Sequence, residues 1–253
     1  AKMARVDSTG YALSRPPRAP LSVVLIAHNA AQQLEDCLAS AAFADEIVLV
    51  DSGSTDATQE VARKHGARVV EKAWLGFGPQ KQFAVEQAQH DWVLCLDADE
   101  RVSTELRTSI EQALIAPAAP IYRMARCNRF LGRWLRHGEG YPDWSPRLFD
   151  RRMARWSDDA VHEKVLYAVT PGTLGGDLLH ESAENLARYL DKQNLYTTLA
   201  AEQLYERGRS AGAPELRASP DGIAGLVHIG IGCMNSYLKY AKLIELRRAR
   251  KGQ

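Results

Sequence analysis

The sequence predicts an α/β protein with a mostly parallel β-sheet that carries helices on both faces. Two observations support this fold class. Short runs rich in valine, isoleucine and leucine alternate with amphipathic helical stretches from Leu21 to about residue 115. The runs are apolar almost without interruption, rather than at every second position, so both faces of each strand must be covered.

The elements of this first half follow one another in a regular order. The predicted strands are 21–29, 46–52, 67–72 and 91–97. The first predicted helix carries Leu34, Cys37, Leu38 and Ala41 near one face, and the others span 55–65, 80–89 and 104–115. Ser103 is expected to cap the last helix, because its hydroxyl can accept a hydrogen bond from an unpaired N–H group of the first turn.

The pattern changes near Pro117 and Pro120, where the regular alternation of strands and helices stops. Less regular strands are predicted at 121–130, 147–156 and 172–180, followed by a helix at 185–207. A linker rich in glycine, serine and proline leads to a C-terminal helical extension. The predicted divisions are therefore an N-terminal tail at 1–20, an α/β half at 21–116, a second half at 117–207, and the linker with its helix at 208–253.

Composition and charge exclude several classes of protein. Of the 253 residues, 45% are apolar and 25% are charged, which is typical of a globular protein. The net charge of +1 provides no global field for the phosphate backbone of nucleic acid, so no nucleic-acid partner is expected. The four cysteines form no CxxC pair, and residues 1–20 lack the apolar core of a signal peptide. We therefore expect a protein of the reducing cytoplasm.

Acidic side chains follow two of the predicted strands. In an open α/β sheet, ligands bind at the carboxyl ends of the strands. The second strand ends in the segment from Asp51 to Asp56, and the fourth ends in Asp97, Asp99 and Glu100. Two carboxylates two residues apart can bind a hard cation, although acidic strand ends also cap the helices that follow. Convergence of several carboxylates on one cleft favours the cation, because uncompensated negative charges repel one another.

Glycine patterns indicate no dinucleotide site. No GxGxxG segment follows the first strand, which ends in His28 and Asn29. The segment GFGPQK at 76–81 is only a weak candidate for a phosphate loop. A phosphatase that uses an aspartate nucleophile is also disfavoured, because such enzymes place the aspartate at the end of the first strand.

Several motifs together resemble one family. The segments LSVVLIAHN, VDSGSTDAT, QKQFAV and LCLDADE have the order and spacing of family 2 glycosyltransferases, which have the GT-A fold. The segments WSPRLFDRR, DDAVHEKV and LLHESAENLARYLDKQNLYTTLAAE are similar to the bacterial lipopolysaccharide inner-core β-glucosyltransferases of that family. The resemblance covers about residues 21–207.

The resemblance implies roles for individual positions in binding the donor. The backbone of Ala27 and the side chains of His28, Asn29 and Asp51 would surround the uridine, and Lys81 would face the nucleotide. Asp97 and Asp99 match the DxD motif. There the second aspartate binds the metal directly, while the first lies towards the ribose and the metal. The implied cofactor is Mn²⁺ or Mg²⁺.

The resemblance also implies a catalytic base, which in this family is a downstream carboxylate that usually lies in an ED pair. The matching stretch here is Val161-His162-Glu163, which departs from that pattern, and we assign the base to Glu163. A base and a metal suffice for inverting sugar transfer. The structural alternative is an exposed strand edge, and Asp143 and Asp159 are the next candidates for the base.

Three further residues each have a functional and a structural interpretation. His180 can be a third metal ligand or a satisfied structural histidine. Arg147 can bind a diphosphate oxygen pair or be a charge at a strand edge. Trp144 can stack on a sugar or belong to the core.

The C-terminal segment from Ile223 is too short and too rich in glycine to span a bilayer. Basic residues follow it at Lys239, Lys242, Arg247, Arg248, Arg250 and Lys251. Basic and apolar residues together are typical of a helix on an anionic membrane surface, and the alternative is a solvated helix packed on the domain. We expect a peripheral location at the cytoplasmic side of the inner membrane.

The expected activity is metal-dependent, inverting transfer of a hexose from a UDP-sugar to a lipopolysaccharide core acceptor. The resemblance implies that this hexose is glucose. Residues 21–116 would bind the nucleotide sugar, and residues 117–207 would bind the acceptor and carry the base. One alternative is a membrane-docked module that binds nucleotide sugars without turnover. Another is a glycosyltransferase that acts on a different lipid-linked or polysaccharide acceptor.

Overall fold

The structure is a computed structural model that describes residues 17–130, 133–137, 141–159 and 163–181, with single positions at 191, 194 and 234. Most of the predicted N-terminal tail lies outside the described residues. The same holds for the predicted helix at 185–207, the linker and the C-terminal helical extension, apart from those single positions.

The first half of the chain has the predicted alternation of strands and helices. Its elements are β1 (Leu21–Ala27), α1 (Ala31–Ala41), β2 (Glu46–Asp51), α2 (Thr58–Lys64), β3 (Arg68–Glu71), α3 (Phe77–Glu86), β4 (Trp92–Asp97), β5 (Glu100–Val102) and α4 (Thr104–Ile115). Strands β3, β2, β1 and β4 are neighbours and run parallel. Ser103 caps α4 as predicted, because its hydroxyl accepts a hydrogen bond from the Leu106 amide at 3.2 Å.

The second half continues the same sheet with strands that are not joined by helices. Its elements are β6 (Ile121–Phe130), β7 (Arg133–Trp134), β8 (Asp143–Asp150), β9 (Arg155–Trp156), β10 (Val165–Leu166) and β11 (Gly172–His180). Within the described residues the main sheet has the order β3-β2-β1-β4-β8-β6-β11-β5, with β7 paired to β6, and β9 and β10 form a separate pair.

The α/β prediction is confirmed, and the sheet is mixed rather than parallel throughout. Strand β8 runs antiparallel to β4, β6 runs antiparallel to β8, and β11 runs antiparallel to β5. Parallel neighbours need a long crossover, usually a helix, whereas strands joined by turns reverse direction. The predicted strand at 147–156 is two strands. The chain turns at Asp150, which accepts the Arg152 amide at 3.0 Å.

Two hydrophobic cores lie on the two faces of the sheet. Alternate residues of β1 divide between them, with Leu21, Val23 and Leu25 in one core and Val24 in the other. The first core also contains the apolar faces of α1 and α4, and the second contains α3 residues with Trp156. The strands are therefore buried on both faces, which confirms the predicted reason for the unbroken apolar runs in the sequence.

Two compact units divide the chain. The described parts of Ala1–Cys127 and Arg136–His180 form the first unit, so the strands before and after residue 116 share one body. The second unit contains Asn128–Leu135 and Glu181–Gln253. In its described part, β7 pairs with the end of β6 through Arg129 and Phe130. None of the helices in the described ranges combines the length and apolar character that are needed to cross a bilayer.

Candidate active site at the carboxyl edge of the parallel strands

The ends of three neighbouring strands meet at one edge of the sheet. Ala27, the last residue of β1, is in register with Asp51, the last residue of β2. On the other side of β1, Ile26 is in register with Asp97, the last residue of β4. The sheet therefore brings the predicted acidic strand ends to one edge, where an open α/β sheet binds its ligands.

Asp97 is held between two buried cations. Its Oδ1 atom lies 2.8 Å from the Lys81 ammonium, and its Oδ2 atom lies 2.9 Å from Nη2 of Arg147. The same Arg147 nitrogen donates to Glu100 at 2.8 Å, and Lys81 also donates to Glu163 at 2.8 Å. These pairs compensate the acidic cluster, so the predicted repulsion between carboxylates is relieved by side chains of the protein itself.

The pKa values of this cluster reflect the ion pairs. Burial raises the pKa of Asp97, but Lys81 and Arg147 outweigh burial and hold that pKa well below its ordinary value. Burial lowers the pKa of Lys81 and of Arg147, and the neighbouring carboxylates more than reverse this, so that both pKa values are raised. All three groups therefore keep their charges at neutral pH.

Arg147 owes its position to a β-bulge. Tyr122 is in register with Leu148 and Arg123 with Pro146, so Arg147 has no opposite residue on β6. A bulge interrupts the alternation of side chains and redirects the extra residue. The guanidinium lies 5.6 Å from the ring centre of Trp156, which the Lys81 ammonium also approaches at 4.8 Å. Arg147 is thus a buried part of the acidic site rather than a charge at a strand edge.

Asp99 and His180 face each other across the site. The Oδ2 atom of Asp99 lies 3.3 Å from Nε2 of His180. His180 is in register with Glu100, since β11 pairs with β5. Nη2 of Arg126 lies 2.8 Å from Nδ1 and 3.0 Å from Nε2 of the same imidazole.

The Asp99 and His180 atoms fit a divalent cation as a pair of neighbouring ligands. Ligands of Mg²⁺ lie about 2.1 Å from the ion, which places adjacent ligands of an octahedron about 3 Å apart. Within the described residues no group of three or more His, Cys, Asp or Glu side chains forms a metal site, so further ligands would be phosphate oxygens and water. Both oxygens of Asp97 already contact cations, which makes it a poorer metal ligand than Asp99. Binding through Nε2 also requires Arg126 to donate to Nδ1 alone.

Glu163 joins the site through Lys81 of α3. The close approach of α3 to the segment 157–159 depends on Gly78, whose amide donates to the Asp159 carbonyl at 3.1 Å. A Cβ atom at Gly78 would lie 2.1 Å from the Ser157 carbonyl oxygen, which is far inside contact distance. Close packing therefore explains why a glycine stands at position 78 of the GFGPQK segment, and no phosphate-binding role is needed to account for it.

The residues predicted to hold the uridine lie in the loops after β1 and β2. Asp51 is buried and accepts hydrogen bonds from the amides of Gly53 and Ser54 at 3.1 and 2.9 Å. Burial raises the pKa of Asp51, but hydrogen bonds from Ser54 and Gln59 outweigh it, and the net pKa is lowered.

Asn29 joins these two loops, and His28 lies beside it on the surface. Asn29 has a φ of 50°, and its side-chain oxygen accepts a hydrogen bond from the Thr55 backbone amide at 2.8 Å. The backbone amide of Asn29 donates to the Ser54 hydroxyl. His28 is exposed, and its Nε2 atom lies 3.3 Å from the side-chain nitrogen Nδ2 of Asn29. Asn29 and Asp51 therefore shape the predicted uridine site, and their binding role stays a prediction.

Asp56 departs from a sequence expectation, and Trp144 departs from its core interpretation. Asp56 was expected to converge with the DxD carboxylates, but it accepts the amides of Thr58 and Ala31 at 2.9 and 3.2 Å, at the starts of α2 and α1. Trp144 is 41% exposed, and its ring lies 4.7 Å from the Arg123 guanidinium. Trp144 therefore does not belong to the core, and its sugar-stacking role stays a prediction.

Sequence reasoning missed Arg126 and Trp156 and gave Glu100 no role. Arg126 comes from the middle of β6, in a run that has no recognisable motif. Trp156 ends the segment RLFDRRMARW, which was treated as a strand only. Glu100 was visible as the last residue of DADE, but its partners Arg147 and Arg126 are 47 and 26 positions further along the chain.

A comparison with known protein families identifies the family of the chain. The model of Glycosyl transferase family 2 matches residues 22–166, which run from the second residue of β1 to the end of β10 and include the DxD motif. The lipopolysaccharide core biosynthesis glycosyltransferase LpsC of Rhizobium meliloti (strain 1021) is 30% identical over 255 residues, which cover 90% of this chain and 93% of that relative. The chain therefore belongs to glycosyltransferase family 2 of the GT-A type, and it is a glycosyltransferase.

One further relative and two solved structures also match part of the chain. An uncharacterized glycosyltransferase of Rickettsia bellii (strain RML369-C) is 29% identical over 75% of this chain and 69% of its own length. TarS 1-349 of S. aureus in complex with UDP-GlcNAc is 23% identical, with a TM-score of 0.41 over 46% of this chain and 36% of that one. Glucosyl-3-phosphoglycerate synthase of Mycobacterium tuberculosis with Mn²⁺ and UDP-glucose is 26% identical, with a TM-score of 0.37 over 44% of each chain. The matches span less than half of these two solved chains.

Replacement of Asp97 by asparagine should destabilise the fold in a pH-dependent way. We expect Asp97→Asn to lower the free energy of unfolding by about 3 kcal/mol at neutral pH, because two buried cations lose a shared partner. The pKa of Asp97 is depressed in the folded state. Its contribution is therefore complete above the ordinary value of 3.8 and is lost as the pH falls below that value.

Urea unfolding of both proteins between about pH 7 and pH 3 measures this difference, which should narrow below about pH 4. The matched control is Asp91→Asn, at the other end of β4, where the carboxylate is 47% exposed and 3.0 Å from Arg152. A surface pair of this kind contributes about 1 kcal/mol or less. A stability difference for Asp97→Asn that is constant over the whole pH range would contradict the prediction.

Proposed function

We propose that this glycosyltransferase is a metal-dependent, inverting enzyme that transfers a hexose, glucose in our assignment, from a UDP-sugar to a lipopolysaccharide core acceptor. One observation carries the proposal. The DxD aspartates lie at the carboxyl edge of the parallel strands, with Asp97 held by Lys81 and Arg147 and with Asp99 opposite His180.

The charges of the site suit a nucleoside diphosphate. Lys81 and Arg147 are cations that remain charged when buried, and Arg147 has a planar guanidinium suited to pairs of phosphate oxygens. In our proposal Asn29, Asp51 and His28 contact the uridine beside them. A divalent ion held by Asp99 and His180 would neutralise the negative charge that develops on the departing diphosphate.

The proposed reaction is a single displacement at the anomeric carbon. The acceptor hydroxyl oxygen forms a bond to that carbon while the bond to the diphosphate oxygen breaks, and UDP leaves with the electron pair. Glu163 takes the hydroxyl proton, as a general base must lie within reach of the proton it removes. Lys81 contacts both Glu163 and Asp97 and therefore links the proposed base to the donor site.

The choice of acceptor is supported by the relative LpsC, whose name places it in lipopolysaccharide core biosynthesis. The decisive experiment offers the purified protein a panel of UDP-sugars with Mn²⁺ or Mg²⁺ and a truncated lipopolysaccharide core. UDP release and product mass are then measured. Turnover of UDP-glucose into a β-linked product supports the proposal. UDP-sugar binding without UDP release would indicate the module without activity, and turnover on another acceptor alone would reassign the substrate.

Asp99→Ala should abolish metal-dependent turnover and weaken Mn²⁺ binding, because it removes a ligand together with its negative charge. Calorimetry in the presence of UDP measures the metal affinity. The matched control is Asp36→Ala on α1, whose carboxylate is 69% exposed and pairs with Arg101 at 3.1 Å. Wild-type Mn²⁺ affinity and turnover in Asp99→Ala would refute the metal assignment.

Glu163→Gln keeps the size of the side chain but removes the proton acceptor. We expect kcat to fall about 100-fold or more while UDP affinity changes little. Asp143→Asn, which alters a carboxylate 3.8 Å from Arg126, serves as the comparison. Full activity of Glu163→Gln together with inactive Asp143→Asn would move the base to Asp143.

We also propose that the enzyme works at the cytoplasmic face of the inner membrane. This proposal rests on the basic residues from Lys239 onward, which lie outside the described residues. Each basic side chain near an anionic surface contributes about 1 kcal/mol, and salt screens the attraction. Removal of 239–253 should weaken co-sedimentation with anionic liposomes at low salt and leave UDP binding intact. Salt-independent binding, or no binding of the full chain, would argue for a solvated helix.

A further inference from the structure

Glu100 is a wholly buried carboxylate whose role the reaction does not require. Two hydrogen-bond donors and a second cation surround it. Nη2 of Arg147 donates to Oε1 at 2.8 Å, and the backbone amide of Asp97 donates to Oε2 at 2.9 Å. Nε of Arg126 lies 3.4 Å from Oε1, an ion pair without a hydrogen bond. A carboxylate removed from water needs such partners, and here every partner belongs to the candidate active site.

The contact with the Asp97 amide ties Glu100 to the DxD turn. The side chain of Glu100 binds the backbone of the residue three positions earlier and therefore closes the turn that contains Asp97 and Asp99. The backbone of Glu100 is in register with His180 through the pairing of β5 and β11. Glu100 thus connects the turn of the DxD motif to two strands, to the one that contributes Arg147 through its side chain and to the one that contributes His180 through its backbone.

The contact with Arg147 leaves one end of its guanidinium unpaired. Nη2 of Arg147 serves both Asp97 and Glu100, and Nη1 is buried without a hydrogen-bond partner among the described residues. Buried donors are rarely left unpaired in folded proteins, so a bound ligand is the natural partner for Nη1. A guanidinium that is fixed at one nitrogen has little freedom at the other, because the group is planar and rigid.

We propose that Glu100 is a positioning residue that holds Arg147 so that Nη1 donates to the diphosphate of the donor. This inference rests on the proposed function, since it takes the anion to be that of a UDP-sugar. Glu100 itself touches neither the sugar nor the acceptor. Its Oε1 atom holds the arginine in place, and the arginine contacts the ligand.

The test compares UDP with uridine, which lacks the diphosphate, by calorimetry in the presence of Mn²⁺. Glu100→Gln keeps the shape of the side chain but removes its charge. We expect the affinity of this variant for UDP to fall about tenfold or more, because one charge-assisted contact is lost. Its affinity for uridine should stay within about twofold of the wild-type value. If Glu100 served only the stability of the fold, its replacement would lower the affinity for UDP and for uridine by the same factor.

The matched control is Glu46→Gln. Glu46 lies at the amino end of β2 and also holds an arginine and a backbone amide, with Arg68 at 2.9 Å and the Gln89 amide at 2.7 Å. Its replacement should leave the affinity for both UDP and uridine unchanged. The double variant Glu100→Gln/Arg147→Gln should bind UDP no more weakly than Arg147→Gln alone, because Glu100 acts through Arg147.

Three outcomes would overturn the inference. These are wild-type UDP affinity in Glu100→Gln, an equal loss for UDP and uridine, and additive losses in the double variant. Failure of the part of the proposed function on which the inference rests, UDP-sugar binding at this site, looks different, because the wild-type protein would then bind neither UDP nor uridine.

Discussion

The ion pairs around Asp97 join four parts of the molecule that are distant in sequence. Asp97 ends β4, Lys81 belongs to α3, Arg147 lies at the bulge of β8, and Glu163 precedes β10. Loss of one partner of a buried pair costs about 3–5 kcal/mol, which is a large share of the roughly 5–15 kcal/mol that stabilise a typical domain. The geometry of these elements therefore depends on keeping the pairs intact, and the same charges form the candidate donor site.

The parallel strands explain why the acidic residues gather at one edge. In a parallel sheet all carboxyl ends lie on the same side, and the register of β2, β1 and β4 brings Asp51 and Asp97 to either side of the end of β1. Antiparallel strands in their place would send alternate ends to opposite edges. The first half of the chain thus supplies the carboxylates and the loops predicted to bind uridine.

The antiparallel strands supply compensating groups in addition to Lys81 of α3. Arg147 comes from β8, Arg126 from β6 and His180 from the end of β11. Placed beside the DxD turn, the two arginines put positive charge next to carboxylates that would otherwise repel one another. These groups reach the carboxylates because the sheet is mixed. Strand β8 pairs with β4 and brings the second half of the chain against the first.

Local sequence determined the elements of the parallel half and the candidate residues within it. The apolar runs predicted β1, β2, β3 and β4, Ser103 predicted the start of α4, and the DADE motif predicted an acidic strand end. Spacing alone could not determine the partners of those acids. Glu100 meets Arg147 and Arg126, and Asp99 meets His180, only because β8, β6 and β11 pair across large sequence separations. Hydrophobic periodicity depends on neighbouring positions and is visible in the chain itself. The pairing of charges depends on which strands lie side by side, and that is decided by the tertiary structure.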